Sequence, residues 1–174
     1  MKGGDLGKKV LGGLLAACVG VLAALVLTCA LDVIKMKGDT MEPAIAGDSH
    51  VIVYKWAYAF GKPQKGDLVA FPSCVYSEDG EGSTLVKRVV ATEGDFVEIK
   101  EGCLYINGAL FDEYAAEPVY MEPMKGTVIQ KSKVFVLSDK RSAVLDSRDE
   151  AIGQLAAREL TGKVWFKPWA KENR

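Results

Sequence analysis

The chain has 174 residues and a formal net charge of −1, with 22 basic and 23 acidic residues well mixed. Such a balance excludes a polybasic nucleic-acid surface, and the length fits one domain plus an anchor. The four cysteines show no metal-ligand spacing, and a single histidine, His50, leaves almost no material for a Ser-His-Asp arrangement.

Residues 1–10 carry Lys2, Lys8 and Lys9 against one acid, Asp5, and Leu11 to Leu31 then contains no charge. About 21 residues of helix span about 31 Å, which matches a bilayer core. The apolar region of a cleaved signal peptide is shorter, about 7–15 residues. A soluble core helix shows a polar face, and none is present here. The segment is read as a retained transmembrane anchor over 11–33, following a cytoplasmic stretch, 1–10. The lysine bias sends the remainder, 35–174, outside the cell membrane. Cys18 and Cys29 fall in the anchor. Cys74 and Cys103 are left for the domain and are read as free thiols, with pairing open.

Asp32 to Lys37 marks the exit from the membrane. Ala44 to Asp48 is turn-like. Ser49 to Tyr54 alternates as a strand, with Val51 and Val53 on one face; His50 is an ordinary polar residue there. Trp56-Ala-Tyr-Ala-Phe60 is either core packing or an interfacial belt. A turn over 61–66 leads into a strand from Asp67 to Phe71, and 73–83 is an acidic loop. Thr84 to Ala91 is a strand carrying Lys87. Gly94-Asp95 turns into Phe96–Lys100, and Glu101-Gly102 turns into Cys103–Ile106. Asn107-Gly108 is a strong hairpin signal. Residues 109–128 lack clear periodicity. Val134–Leu137 is a short strand, Glu150 to Leu160 forms one or two helical turns, and Lys163–Phe166 is a last strand. Valine-rich alternation and plentiful glycine favour a mainly β fold.

Thr40 lies in Lys35-Met-Lys-Gly-Asp-Thr-Met-Glu-Pro43, just past the anchor. Gly38 permits a close backbone approach, and Pro43 fixes a turn. A hydroxyl is a poor nucleophile until a base takes its proton. A lysine serves as that base when burial lowers its pKa. Lys87, in Leu85-Val-Lys-Arg-Val-Val90, has the apolar neighbours this requires. Taken singly, Thr40 reads as a turn residue and Lys87 as a solvated strand lysine.

Four motifs in order change that reading: Gly38-Asp-Thr-Met-Glu-Pro43, Gly66-Asp-Leu-Val-Ala-Phe71, Lys87-Arg-Val89 followed by Gly94-Asp95, and Ser138-Asp-Lys-Arg-Ser-Ala-Val-Leu-Asp-Ser-Arg148. Together they resemble the type I signal peptidases, membrane-anchored proteases with a Ser/Lys dyad, in a Gram-positive-like form. The resemblance implies an antiparallel β catalytic domain and no metal or cofactor. It also implies exported preproteins as partners, cut at their signal peptides through an acyl-enzyme at the outer face of the membrane. Thr40 stands where the nucleophilic serine belongs, and Lys87 is the base. Met41 lines the pocket for the residue before the cut, with Met36 and Val86 as neighbours.

The sequence departs from the family in the closing motif. Ser138 replaces a glycine, Lys140 an asparagine, and Val144 the serine that orients the lysine. Ser138 and Ser142 are the hydroxyls available to substitute for it. Asp139, Arg141, Asp146 and Arg148 retain a charged frame, read as a salt-bridged loop bracing the site. Threonine adds a methyl on Cβ that stiffens χ1 and crowds attack. Thr40 and Val144 therefore keep open an alternative: a non-cutting relative that binds exported proteins, as in surface-fibre assembly.

Overall fold

A computed structural model describes residues 3–36, 38–73, 83–143 and 145–166. One helix, α1 (Gly3–Ala30), opens the chain. Its apolar part, Val10–Ala30, has a mean hydropathy of 2.7 and is exposed except at its end, where Ala30 is buried. Thr28 donates its hydroxyl to the carbonyls of Ala24 and Leu25, so even this polar group is satisfied within the helix. Length and composition suit a membrane span.

The helix does not continue through residue 33. Leu31–Lys35 forms a strand, β1, paired antiparallel with β2 (His50–Tyr54) from Leu31↔Tyr54 to Lys35↔His50. The Lys55 amide donates to the Ala30 carbonyl at 2.8 Å. The chain therefore enters the sheet at the first residue beyond the helix, and the expected exit segment is a sheet edge.

The other strands are β3 (Leu68–Ser73), β4 (Ser83–Thr92), β5 (Phe96–Lys100), β6 (Cys103–Ile106), β7 (Ala109–Leu110), β8 (Met124–Val128), β9 (Lys133–Leu137), β10 (Leu155–Ala156) and β11 (Gly162–Phe166). They make a seven-stranded sheet, β1-β2-β11-β3-β4-β9-β10, and a four-stranded sheet, β7-β6-β5-β8. Every pairing is antiparallel. The last strand sits between β2 and β3, so the chain's end joins its two early strands in one sheet. Gly162 permits this insertion: a Cβ there would lie 2.3 Å from the Tyr54 carbonyl oxygen.

The period of two explains how the large sheet is covered on both faces. Leu68 and Ala70 of β3 join one cluster with Met36, Met41, Val51, Val53 and Val86. Val69 and Phe71 join another with Val89, Val134 and Val136. A third cluster, Val97, Ile99, Leu104 and Ile106 with Val90, Ala91 and Phe135, welds the small sheet to the ends of β4 and β9. Asn107 and Gly108 have φ of 54° and 80°, the two left-handed residues a tight hairpin turn requires.

The segment 109–128, without periodicity in sequence, contributes two short strands and a connecting strap. Residues 150–160 hold a two-residue strand and a single 3-10 turn, Ala157–Glu159, because β10 is held by β9. Among the aromatic run, Phe60 is fully exposed and Trp56 partly so, whereas Tyr58 packs against a core cluster and donates to Asp67 at 3.0 Å.

Candidate active site

Lys87 sits in β4 opposite Val69. Only 2% of it is exposed. Burial lowers its ammonium pKa to about 8, working against the nearby carboxylates of Asp146 and Asp139 and together with the repulsion of Arg148. Loss of water is the dominant effect, as burial of an amine requires.

Thr40 reaches this amine from the turn after β1. Lys87 Nζ lies 3.2 Å from Thr40 Oγ1 and donates to Ser138 Oγ at 2.8 Å. The turn is pinned from below by Met41, which is wholly buried and whose carbonyl accepts from the Ile45 amide at 2.8 Å. It is pinned from the side by Lys140. The Lys140 amide donates to the Thr40 carbonyl at 3.0 Å, and its ammonium pairs with the Asp39 carboxylate.

The closing motif supplies the frame, with two differences from the sequence reading. Asp139 pairs with Arg88, which that reading left out of the site: Arg88 donates twice to the carboxylate, at 2.7 and 2.6 Å, and once to the Gly66 carbonyl at 3.0 Å. The guanidinium also stacks over the Tyr114 ring, 4.4 Å from its centroid. Asp146 is fully buried and accepts from Arg148 Nε at 2.8 Å and from the Ser138 amide at 3.0 Å. The second difference is Arg141. It makes no ion pair with a described carboxylate and donates instead to the Glu113 carbonyl at 3.1 Å.

Ser138 was one of two hydroxyls available in the sequence, and it is the one that meets Lys87. The signal for choosing it was weak, since it stands in a motif position normally held by glycine. Val144 lies outside the described residues, as does Cys74. Cys103 is a free, exposed thiol. Met36, Met41 and Val86 do come together, but as core with at most 5% exposure each.

Residues 10–169 match the model of a family described as signal peptidase, peptidase S26. The chain belongs to this signal peptidase family. Thylakoidal processing peptidase 1 of Arabidopsis thaliana is 34% identical over 139 residues, which is 75% of this chain and 39% of that protein. Signal peptidase IB of Staphylococcus aureus is 31% identical over 152 residues, 77% of this chain and 75% of the relative. A crystal structure of a signal peptidase I from Enterococcus faecalis aligns with a TM-score of 0.47 and 25% identity, covering 60% of this chain and 98% of that one. The chain thus spans well under half the length of the plant relative and three-quarters of the staphylococcal one.

Proposed function

We propose that this chain is a membrane-anchored type I signal peptidase that cuts exported preproteins with a Thr40/Lys87 dyad. The observation that carries the proposal is a buried lysine whose amine lies between two hydroxyls, Thr40 and Ser138. An amine has two N–H bonds and one lone pair. With Ser138 taking an N–H, the lone pair is free to accept the Thr40 proton.

In the proposed reaction neutral Lys87 removes that proton as Thr40 Oγ1 attacks the scissile carbonyl. The resulting oxyanion lies at the Thr40 backbone N–H. The new ammonium returns its proton to the leaving amine, and the signal peptide stays as an ester on Thr40. Lys87 then takes a proton from water, whose hydroxide attacks the ester; the peptide leaves as its carboxylic acid, and the departing Thr40 Oγ1 regains its proton from Lys87.

Two strand edges suit an extended substrate. β1 pairs on one side alone, and β9 pairs with β4 only from Arg88 onward, leaving Leu85–Lys87 without a described strand on that side. A peptide adds to such edges through its backbone. Met36, Met41 and Val86 form the apolar floor below Thr40, fitting the small side chains of signal cleavage sites. Val33 on β1, Phe60 in the turn after β2 and Trp165 on β11 stand exposed, and are proposed to rest on lipid. Asp139, Arg141, Asp146 and Arg148 act as support.

The deciding experiment is mass spectrometry of a preprotein, its signal ending in Ala-x-Ala, after incubation with the purified protein. Cleavage after that triplet, with an acyl adduct on Thr40, is the expected result. Signal-peptide binding without cleavage, in wild type and Thr40→Ser alike, sinks the proposal in favour of a non-cutting binder. Residues beyond the anchor are expected to be degraded by protease added to intact spheroplasts; complete protection overturns the orientation.

A further inference from the structure

The β4–β9 ladder stops one residue short of the proposed dyad. Its backbone pairing ends at Arg88↔Leu137. The next positions, Lys87 and Ser138, meet through side chains at 2.8 Å. Beyond the ladder, side chains must hold the two segments together, and two contacts do so. The Asp146 carboxylate accepts from the Ser138 amide at 3.0 Å. One residue on, the Asp139 carboxylate accepts from Arg88 Nε at 2.7 Å and from Nη2 at 2.6 Å. A bidentate pair fixes direction as well as distance, so Arg88 and Asp139 act as one further rung. Successive side chains leave a strand on opposite faces, and Arg88 therefore points away from Thr40.

Tyr114 covers that rung. Its ring centroid lies 4.4 Å from the Arg88 guanidinium carbon. The remaining arm of the guanidinium, Nη1, donates to the Gly66 carbonyl at 3.0 Å. Gly66 also leaves room for the phenol, since a Cβ there would lie 2.9 Å from Tyr114 Oη. The φ of Tyr114 is 63°, and among the described non-glycine residues with positive φ it is the one aromatic. A bulky side chain is rare in that region, and such strain persists where the surroundings over-determine the backbone. Here they do. Before Tyr114, the Glu113 carbonyl accepts from Arg141 at 3.1 Å; after it, the Ala116 amide donates to the Asp139 carbonyl at 2.9 Å. Glycine takes this φ without strain, so the contacts of the ring offset the cost of a tyrosine.

We propose that Tyr114 is a positioning residue for the dyad. Fixed by the strap, its ring holds Arg88 onto Asp139 through a cation–π contact. That rung in turn keeps Ser138 against Lys87 where the ladder has ended. The inference rests on the Thr40/Lys87 reading. Tyr114 acts through Arg88 and not through the substrate, so its loss falls on kcat and not on KM.

The test compares Tyr114→Phe, Tyr114→Ala and Tyr114→Gly in the full chain in detergent. Phenylalanine keeps the stacking ring. Alanine loses the ring and keeps the strain, and glycine loses both. For an Ala-x-Ala preprotein, alanine and glycine are each expected to lower kcat about tenfold with KM within about twofold. Phenylalanine retains the wild-type rate, and glycine melts above alanine. A kcat that follows melting temperature across those two variants, or a loss in KM alone, overturns the proposal. In an Arg88→Lys background, which lacks the planar fork, Tyr114→Ala is expected to have no further effect; a second tenfold loss there overturns it too. Hydrogen exchange of segments 84–90 and 135–140, read by mass spectrometry, is expected to quicken with alanine and glycine and not with phenylalanine. Unchanged exchange in all three overturns the proposal. Exchange needs no cleavage. A wild type that cuts nothing therefore defeats the dyad reading, and exchange alone then decides whether Tyr114 orders the Lys87 segment.

Discussion

Lys87 Nζ is closer to Ser138 Oγ, at 2.8 Å, than to Thr40 Oγ1, at 3.2 Å. The serine is itself fixed, wholly buried with its amide on Asp146. A held amine keeps its lone pair aimed at one target, and misplacement of a reacting group by about 1 Å costs on the order of 100-fold in rate. Ser138→Ala is therefore expected to lower kcat by roughly 10- to 100-fold with KM little changed. A matching loss in KM alone removes Ser138 from a positioning role. Ser138→Thr, which keeps the oxygen, should recover part of the rate.

The second prediction is a pH profile. With the Lys87 pKa lowered to about 8 by burial, roughly a tenth of the amine is neutral at pH 7 and nine-tenths at pH 9. In the proposed reaction the neutral form is the base, so kcat/KM is expected to rise about tenfold over that interval with a midpoint near 8. Stability shifts in the same direction. Between about 8 and the ordinary value of 10.5, the unfolded chain binds a proton that the folded chain does not, so stability rises with pH there. Thermal melts of Lys87→Met should lose that rise. A flat rate profile from pH 7 to 9 removes Lys87 as the base.

Thr40 carries the third prediction. Valine matches threonine in shape but lacks the oxygen, so Thr40→Val should reduce cleavage by on the order of 10⁶-fold, as loss of a nucleophile does. Thr40→Ser relieves the crowding of the methyl and is expected to raise kcat. Single-turnover kinetics of the three forms check both statements. Wild-type rates in Thr40→Val place the nucleophile elsewhere.

The fourth concerns stability. The Arg88–Asp139 pair is buried, with side-chain exposures of 11% and 2%. Asp139→Ala leaves a buried guanidinium without its partner, at a cost of about 3–5 kcal/mol. Lys140→Ala removes the solvent-exposed pair with Asp39, which water screens, so its effect on stability is expected to be small. Denaturant melts should separate the two variants clearly. Equal stability shows that Asp139 is not needed to compensate the arginine.

Much of the architecture was legible in the sequence. The uncharged run is a helix, the alternation around Val51 and Val53 is a strand with those residues inside, and Asn107-Gly108 turns a hairpin. These are local patterns, set by side-chain period and by which residues tolerate positive φ. Less legible were the strap before β8 and the short strand β10, where two-residue pairings depend on a neighbour supplied by another part of the chain.

The candidate site divides in the same way. The motifs by themselves determined that Thr40 and Lys87 are the hydroxyl and the amine to consider, because few other groups in the chain combine that chemistry with that setting. Only the tertiary structure decided that Ser138 faces Lys87, that Arg88 answers Asp139, and that Arg141 turns to a backbone carbonyl. Lys87 and Ser138 are 51 residues apart, as are Arg88 and Asp139. They meet because β4 pairs with β9, with Arg88 opposite Leu137 and a register shift after Val89. Register is a property of two strands at once, and burial of the amine depends on everything packed around it; neither can be read from a single stretch of chain.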